Sequence, residues 1–140
     1  RSRTSTGAQS SSLPDLAKWP NISQKHISLI SIGVLEMLSG LDTLDLFSIP
    51  VTESFPDMKK AYLRKIKRPM DFRTIEEDEL QMYEEISELQ EDLIQVFRNC
   101  VEYNSPQDKF GKSAISLWEQ LNEVFEKVCK EEKVKIRWSR

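Results

Sequence analysis

Very little in this chain could hold a metal ion. Its 140 residues include one histidine, His26, and two cysteines, Cys100 and Cys129, which lie far apart and without a CxxC spacing. That set supports neither a zinc site nor a disulfide framework, and it fits a reducing intracellular compartment. Long apolar runs are missing too. No segment approaches the roughly 20 residues needed to span a bilayer, and the opening RSRTSTGAQSSS lacks the apolar centre of a secretory signal. No membrane association is expected. A net charge of −3 and a pI near 5.3 give no global attraction to nucleic acid or anionic lipid. No nucleophile stands beside a base and no phosphate-binding loop is visible, so the expectation is a non-enzyme without cofactor or metal.

What is present reads as one helical domain. A hydrophobic content of 39% against 31% charged residues suits a single core with flexible ends. Residues 1–12 are rich in Ser, Thr and Gly and carry no large apolar side chain, which marks a disordered linker. The expected organisation is a flexible N-terminal tail over 1–20, a bundle over 21–131 and a polar, fraying C-terminal tail over 132–140. Asn21 or Ser23 can cap a first helix whose apolar positions Ile27, Ile30, Val34, Met37, Leu38 and Leu41 keep three- and four-residue spacing. Gly40 is its expected stop. Asp71 can cap a short second helix through Phe72, Ile75 and Leu80. A third helix runs from about Glu84 to Tyr103, and a last one from about Asp108 carries Ala114, Leu117, Trp118, Leu121, Val124, Phe125 and Val128. No stretch alternates as a strand, so the fold class is all-α, a four-helix bundle.

Between the first two helices lies DLFSIPVTESFPDMKKAYLRKIKRPMDF, with three prolines and no sustained period. It is longer than an ordinary connection, yet it contains Phe47, Ile49, Val51, Phe55, Tyr62, Ile66 and Met70. A loop that apolar must pack on the bundle, and ordered long loops tend to be functional. At the far end of the third helix, Asn104 lies four residues beyond Cys100 and seven beyond Phe97. It therefore continues the inward stripe. A carboxamide there can terminate the helix, as asparagine often does, or present donors and an acceptor to a pocket at the bundle's mouth. The two uses are compatible.

These residues carry a resemblance. IxxPMDFxTI, from Ile66 to Ile75, precedes the Tyr103-Asn104 pair, with Asn104 34 residues after Met70. NCVEYN itself follows an N-C-x-x-Y-N pattern, and Phe47-Ser48-Ile49-Pro50-Val51 follows F-x-x-P-V. Tyr62 stands four residues before Ile66 and seven before Pro69. Taken in order, over roughly Ser23 to Lys130, the set resembles the bromodomain family, the acetyl-lysine-reading left-handed four-helix bundle with a long ordered loop between helices 1 and 2.

The resemblance implies a binding module for acetylated lysine, on histone tails or other acetylated proteins, working in the nucleus as part of a larger chromatin-associated protein. By the family analogy the Asn104 amide donates to the acetyl carbonyl, and the Tyr62 hydroxyl reaches the same oxygen through a water. Phe47, Pro50, Val51 and Tyr103 wall the slot, and Phe110 falls at the gatekeeper position. Acetylation replaces an ammonium by a flat neutral amide, which an apolar slot with one donor can hold. The chain departs from the BET class, because Asp45-Leu46 precede Phe47 where that class has Trp-Pro. Lys60-Ala61-Tyr62 also replaces the common Pro-x-Tyr. The altered loop motivates an alternative, a bromodomain-shaped interaction bundle that has lost acetyl-lysine binding. The module is expected to be monomeric.

The remaining features have plainer readings. The basic run Lys59, Lys60, Arg64, Lys65, Lys67 and Arg68 could make a weak contact with nucleic-acid phosphates. Balance by the acidic stretch Glu76 to Glu79 with Glu84, Glu85, Glu88 and Glu91 is the simpler expectation. Glu53, Glu102 or Asp108 could steer a basic tail. Cys100 reads as a small buried hydrophobe, and Trp118 and Phe125 as core.

Overall fold

The computed structural model describes residues 13–138, and every regular element among them is helical. α1 spans Gln24–Leu41. The long loop holds two short helices, α2 (Val51–Ser54) and α3 (Lys59–Lys65), joined by a 3-10 turn at Pro56–Met58. α4 begins at Phe72–Thr74 and runs on through a π turn, Ile75–Glu79, and a 3-10 turn, Leu80–Met82. α5 (Ile86–Asn104) is followed by α6 (Lys109–Glu119) and α7 (Leu121–Glu131). α5 packs chiefly on α6, and α1 on α7. None of these helices is long and apolar enough to cross a membrane.

The inward stripes form one core: Ile30, Val34 and Leu38 of α1 meet Leu89, Leu93 and Phe97 of α5, and Leu121 and Phe125 of α7. Gly33 lets α1 approach α7 closely, since a Cβ there would lie 2.7 Å from Val128 Cγ1. Asp71 caps α4 as expected, its carboxylate accepting from Thr74 N (2.9 Å) and Thr74 Oγ1 (2.6 Å). α5 starts with a capping box between Glu85 and Glu88.

Several boundaries differ from the sequence expectation. Ser23 sits at the N-cap of α1 but makes no side-chain cap bond. Gly40 does not stop α1, which continues to Leu41 before Asp42 N bonds the Leu38 and Ser39 carbonyls. The last helix is two helices. At Gln120 the backbone N–H shifts to the Leu117 carbonyl (3.1 Å), while the side-chain amide takes the Ser116 carbonyl (3.1 Å), and such local competition breaks a helix.

The flexible tail expected over 1–20 does not hold for its described part. Trp19 is buried, stacked on Phe125 at 4.3 Å and nearly parallel to it. Its backbone N–H donates to Gln90 Oε1 (2.8 Å), Gln90 Nε2 donates back to Ala17 O (2.9 Å), and the indole N–H reaches Asn122 Oδ1 (2.7 Å). Residues 1–12 lie outside the described residues. The polar C-terminal tail is corrected in the same way. Val134 is buried, and Trp138 meets Phe125 edge-on at 6.2 Å while donating to Glu126 Oε2. Exposed aromatic area on α7 is what both tails cover.

Candidate functional site

The long loop is pinned at both ends by buried carboxylates. Where α1 stops, Asp42 turns inward and accepts from Leu46 N (3.0 Å) and Phe47 N (2.9 Å). Two backbone bonds, Phe72 N to Phe47 O (2.9 Å) and Arg73 N to Ser48 O (3.0 Å), then clip this strand-like start to the head of α4. Phe47 thereby lies edge-on against Phe97 at 5.3 Å. At the other end Asp92 accepts from Arg68 (2.7 Å) and from the Tyr83 hydroxyl, while Asn99 Nδ2 donates to Arg68 O (2.8 Å). Burial and this bond to Asp92 push the Tyr83 hydroxyl pKa well above its ordinary value, so it remains a donor.

Between these anchors the loop and the C-terminal end of α5 enclose a mostly apolar slot of about 90 Å³. At the ~10–15 Å³ that one water needs, it has room for several. Phe47, Val51, Tyr62, Tyr103, Asn104 and Phe110 all line it. Tyr62 and Tyr103 pack edge to face at 5.0 Å. Burial, followed by the fields of Cys100 and Asp71, pushes the Tyr62 hydroxyl up to about 12, which keeps it protonated and able to donate.

Asn104 is the last residue of α5. Its Nδ2 donates to the Cys100 carbonyl (3.1 Å) and lies 3.6 Å from Cys100 Sγ. A carboxamide carries two N–H donors, and a thiol is a weak acceptor. The contact to sulfur is therefore the weaker of the two. Cys100 is half-buried, packed against the core and lining the slot; its thiol donates to Phe110 O (3.3 Å), and burial raises its pKa to about 11. The terminator role falls to Ser105, whose φ of 81° turns the chain out of the helix. Asp108 then caps α6 through Phe110 N (2.8 Å). Gly111 is obligatory here, because a Cβ would lie 1.9 Å from the Ser105 carbonyl oxygen. That contact sets Phe110 beside Asn104.

Of the seven residues expected at the site, Pro50 is the one left out of the slot. It precedes α2, and its carbonyl accepts from Glu53 N (2.9 Å) and Ser54 N (3.1 Å). Its fixed φ suits that turn, so it shapes the loop without touching the cavity. Phe55, Met58, Met70 and Val96 line the slot as well. Met58 stands four residues before Tyr62, a same-face spacing that was legible; nothing in the pattern marked Val96 apart from any other core valine. Leu46 lines the slot where the BET class has its proline. Among the described residues the basic run's one ion pair is Arg68 with Asp92 of α5, and Glu79 of the acidic stretch adds its field at Arg68. Glu53 is engaged by Arg73.

A helical bundle whose mouth is closed by a long pinned loop, with an asparagine and a tyrosine facing an apolar slot, is the architecture of a ligand-reading module. The Bromodomain family model matches residues 33–115. The chain belongs to the bromodomain family, whose members are acetyl-lysine reader modules. It is 34% identical over 85 residues to the mouse Bromodomain and PHD finger-containing protein 3, covering 59% of this chain and 7% of that protein. It is 32% identical over 80 residues to Bromodomain adjacent to zinc finger domain protein 2 of Caenorhabditis elegans, covering 51% and 6%. The chain thus spans well under a tenth of these relatives' length. Among solved structures, a Trypanosoma brucei bromodomain in complex with bromosporine superposes with a TM-score of 0.63 at 22% identity, over 90% of this chain and 96% of that one. A second bromodomain from a Cryptosporidium parvum protein, also complexed with bromosporine, gives 0.64 at 23% identity, over 76% and 94%. At those identities the likeness is one of fold, the left-handed four-helix bundle.

Proposed function

We propose that the slot takes the acetylated side chain of a lysine in a histone tail or another acetylated protein, with Asn104 as the donor to the acetyl carbonyl. The carrying observation is the Asn104 amide, held by the Cys100 carbonyl at one N–H and opposed only by a thiol at the other. Tyr62, protonated and buried, serves as the second donor through a water, for which the cavity has room. Phe47, Val51, Tyr103 and Phe110 exclude bulk water, so a bare ammonium entering the slot loses its hydration without replacement. The module is non-catalytic and monomeric, consists of the bundle over residues 21–131 with the packed flanks around Trp19 and Val134, and serves a larger nuclear protein on chromatin. Bromosporine, the ligand of the two solved relatives, is expected to occupy the same slot.

One neutral hydrogen bond adds only about 0.5–1.5 kcal/mol. A single acetylated site is therefore bound on the order of micromolar or weaker, and affinity in the parent protein comes from neighbouring modules. Titration of an acetylated histone-peptide library against the wild type and Asn104→Ala tests the reading. Binding is expected to need the acetyl group and to drop about fivefold or more in the variant, because the buried acetyl carbonyl then goes unsatisfied at a cost of about 1–3 kcal/mol. Affinity unchanged by Asn104→Ala would overturn it.

A further inference from the structure

We infer that Lys65 and Lys109 form a cationic rim on the slot that selects acetyl-lysines flanked by an anionic side chain, either a phosphorylated serine or threonine or a carboxylate. The inference rests on the acetyl-lysine reading of the slot and adds what the flanking sequence must be. Both lysines are exposed, and both ammonium groups sit over rings that line the slot. Lys65 Nζ is 5.8 Å from the centre of Tyr103, and Lys109 Nζ is 5.3 Å from the centre of Phe110. Attraction between a cation and a ring face holds each head near the mouth instead of letting it swing into solvent. Neither lysine takes part in an ion pair among the described residues.

The placement follows from the helices. Met58 and Tyr62 line the slot, and Lys65 follows them at the spacing of one helical face, its ammonium over the Tyr103 ring. Lys59, Lys60 and Arg64 lie exposed on the same short helix and add to the field. The carboxylates on neighbouring segments are fewer or committed. Glu53 is taken by Arg73, and Asp71, which lines the slot, accepts from Thr74. Asp108 accepts from the Phe110 N–H, a neutral donor, and with the exposed Glu102 and Asp57 it stands against the five cations Lys59, Lys60, Arg64, Lys65 and Lys109. A mouth of this sign disfavours an unmodified basic histone tail and favours the same tail carrying a phosphate near its acetyl-lysine. The two lysines sit over rings of the slot itself, and the chain as a whole carries −3. A peptide anion beside the acetyl-lysine therefore fits better than a nucleic-acid backbone.

The test uses one acetyl-lysine peptide in three forms: neutral flanks, phosphoserine two residues away, and glutamate in that position. A fourth peptide carries the phosphoserine but an unmodified lysine. Affinities are measured for the wild type, Lys65→Glu/Lys109→Glu and the milder Lys65→Gln/Lys109→Gln at low and high salt. The wild type should bind the phosphorylated acetyl-peptide about three- to tenfold tighter than the neutral one, with the glutamate form between them. That ratio should fall to about one or below in the double variants and shrink in high salt. No acetyl-dependent binding of the neutral peptide would take down the slot reading, and the inference with it. Neutral binding with no gain from a flanking anion would overturn the inference alone. So would charge reversal that lowers affinity for a mixed-sequence DNA duplex while leaving the phosphopeptide ratio intact.

Discussion

The two ends of the bundle solve opposite problems with similar side chains. At the end where α1 and α7 meet residues 13–20, aromatic surface is stacked shut: Trp19 lies flat on Phe125, Trp138 closes the edge, and Gln90 and Asn122 satisfy the polar groups. At the slot end, aromatic rings stand apart around about 90 Å³ of space. They are kept apart by polar bonds set behind them, from Asp42, Asp92, Asn99 and the Phe47–Phe72 clip. Gln90 and Asn104 lie on one helix, 14 residues apart, which at 1.5 Å per residue is roughly 21 Å. An open slot thus needs carboxylates set behind its rings as scaffolding, where the closed end needs amides only to satisfy the polar groups of a packed stack.

The largest expected effect separates the two ends. Trp19→Ala removes a stacked, buried indole and leaves Asn122 without its donor. The cost is expected at about 3–5 kcal/mol of stability in urea unfolding, with acetyl-peptide affinity unchanged in the fraction that stays folded. A loss below about 1 kcal/mol would mean that residues 13–20 are an ornament on the bundle rather than part of its core.

A smaller effect is expected at the slot end, with the opposite signature. Gly111→Ala drives a methyl group into the Ser105 carbonyl, which cannot move without shifting the turn between α5 and α6. Overpacking of this kind costs about 1–3 kcal/mol. The displaced turn also carries Phe110 away from Asn104, so peptide affinity should fall even where stability is restored by lower temperature. Chemical-shift mapping of Asn104 and Phe110 checks it; a stable variant with wild-type shifts would show that the close contact does not position the slot.

The parts legible in sequence were those with a period or an ordered motif. The stripes of α1 and α5, the Asp71 cap and six of the seven slot residues could be read from spacing and resemblance together. Pro50 was grouped with the slot because it sits inside F-x-x-P-V, where sequence proximity does not say which way a residue faces. Trp19 was lost to the tail because a lone tryptophan between a lysine and a proline has no period. Its partners, Gln90 and Phe125, are 71 and 106 residues away. Gly111 and Asp42 were silent for the same reason: one is needed by a backbone approach and the other by backbone N–H groups, and neither leaves a side-chain pattern. The acidic stretch was paired with the basic run by sequence proximity, yet the bond that forms is Arg68 with Asp92, whose carboxylate is buried behind the loop.

The smallest effect, silent at neutral pH, reads how far the slot wall is shielded from bulk water. Tyr62 is raised by burial from 10.0 to about 12, and Cys100 from 9.0 to about 11. In both, the fold favours the neutral, protonated form, so the folded chain binds more protons than the unfolded one at alkaline pH, and stability falls there as pH rises. The contribution is fully present below about pH 9 and is lost as pH climbs through 9–11 for Cys100 and 10–12 for Tyr62. The closed end carries one such group, Cys129, also raised to about 11. Urea unfolding should therefore give constant stability from pH 7 to near 9 and a decline above it. The decline should be shallower in Tyr62→Phe and Cys100→Ala, each subtracting its own window. Acetyl-peptide affinity should stay level up to pH 9, because the Tyr62 hydroxyl keeps its proton throughout. A fall in affinity or stability centred below pH 9 and removed by either substitution would mean that bulk water already surrounds Tyr62 and Cys100, and the contrast between an open end shielded from bulk water and a closed one would fail.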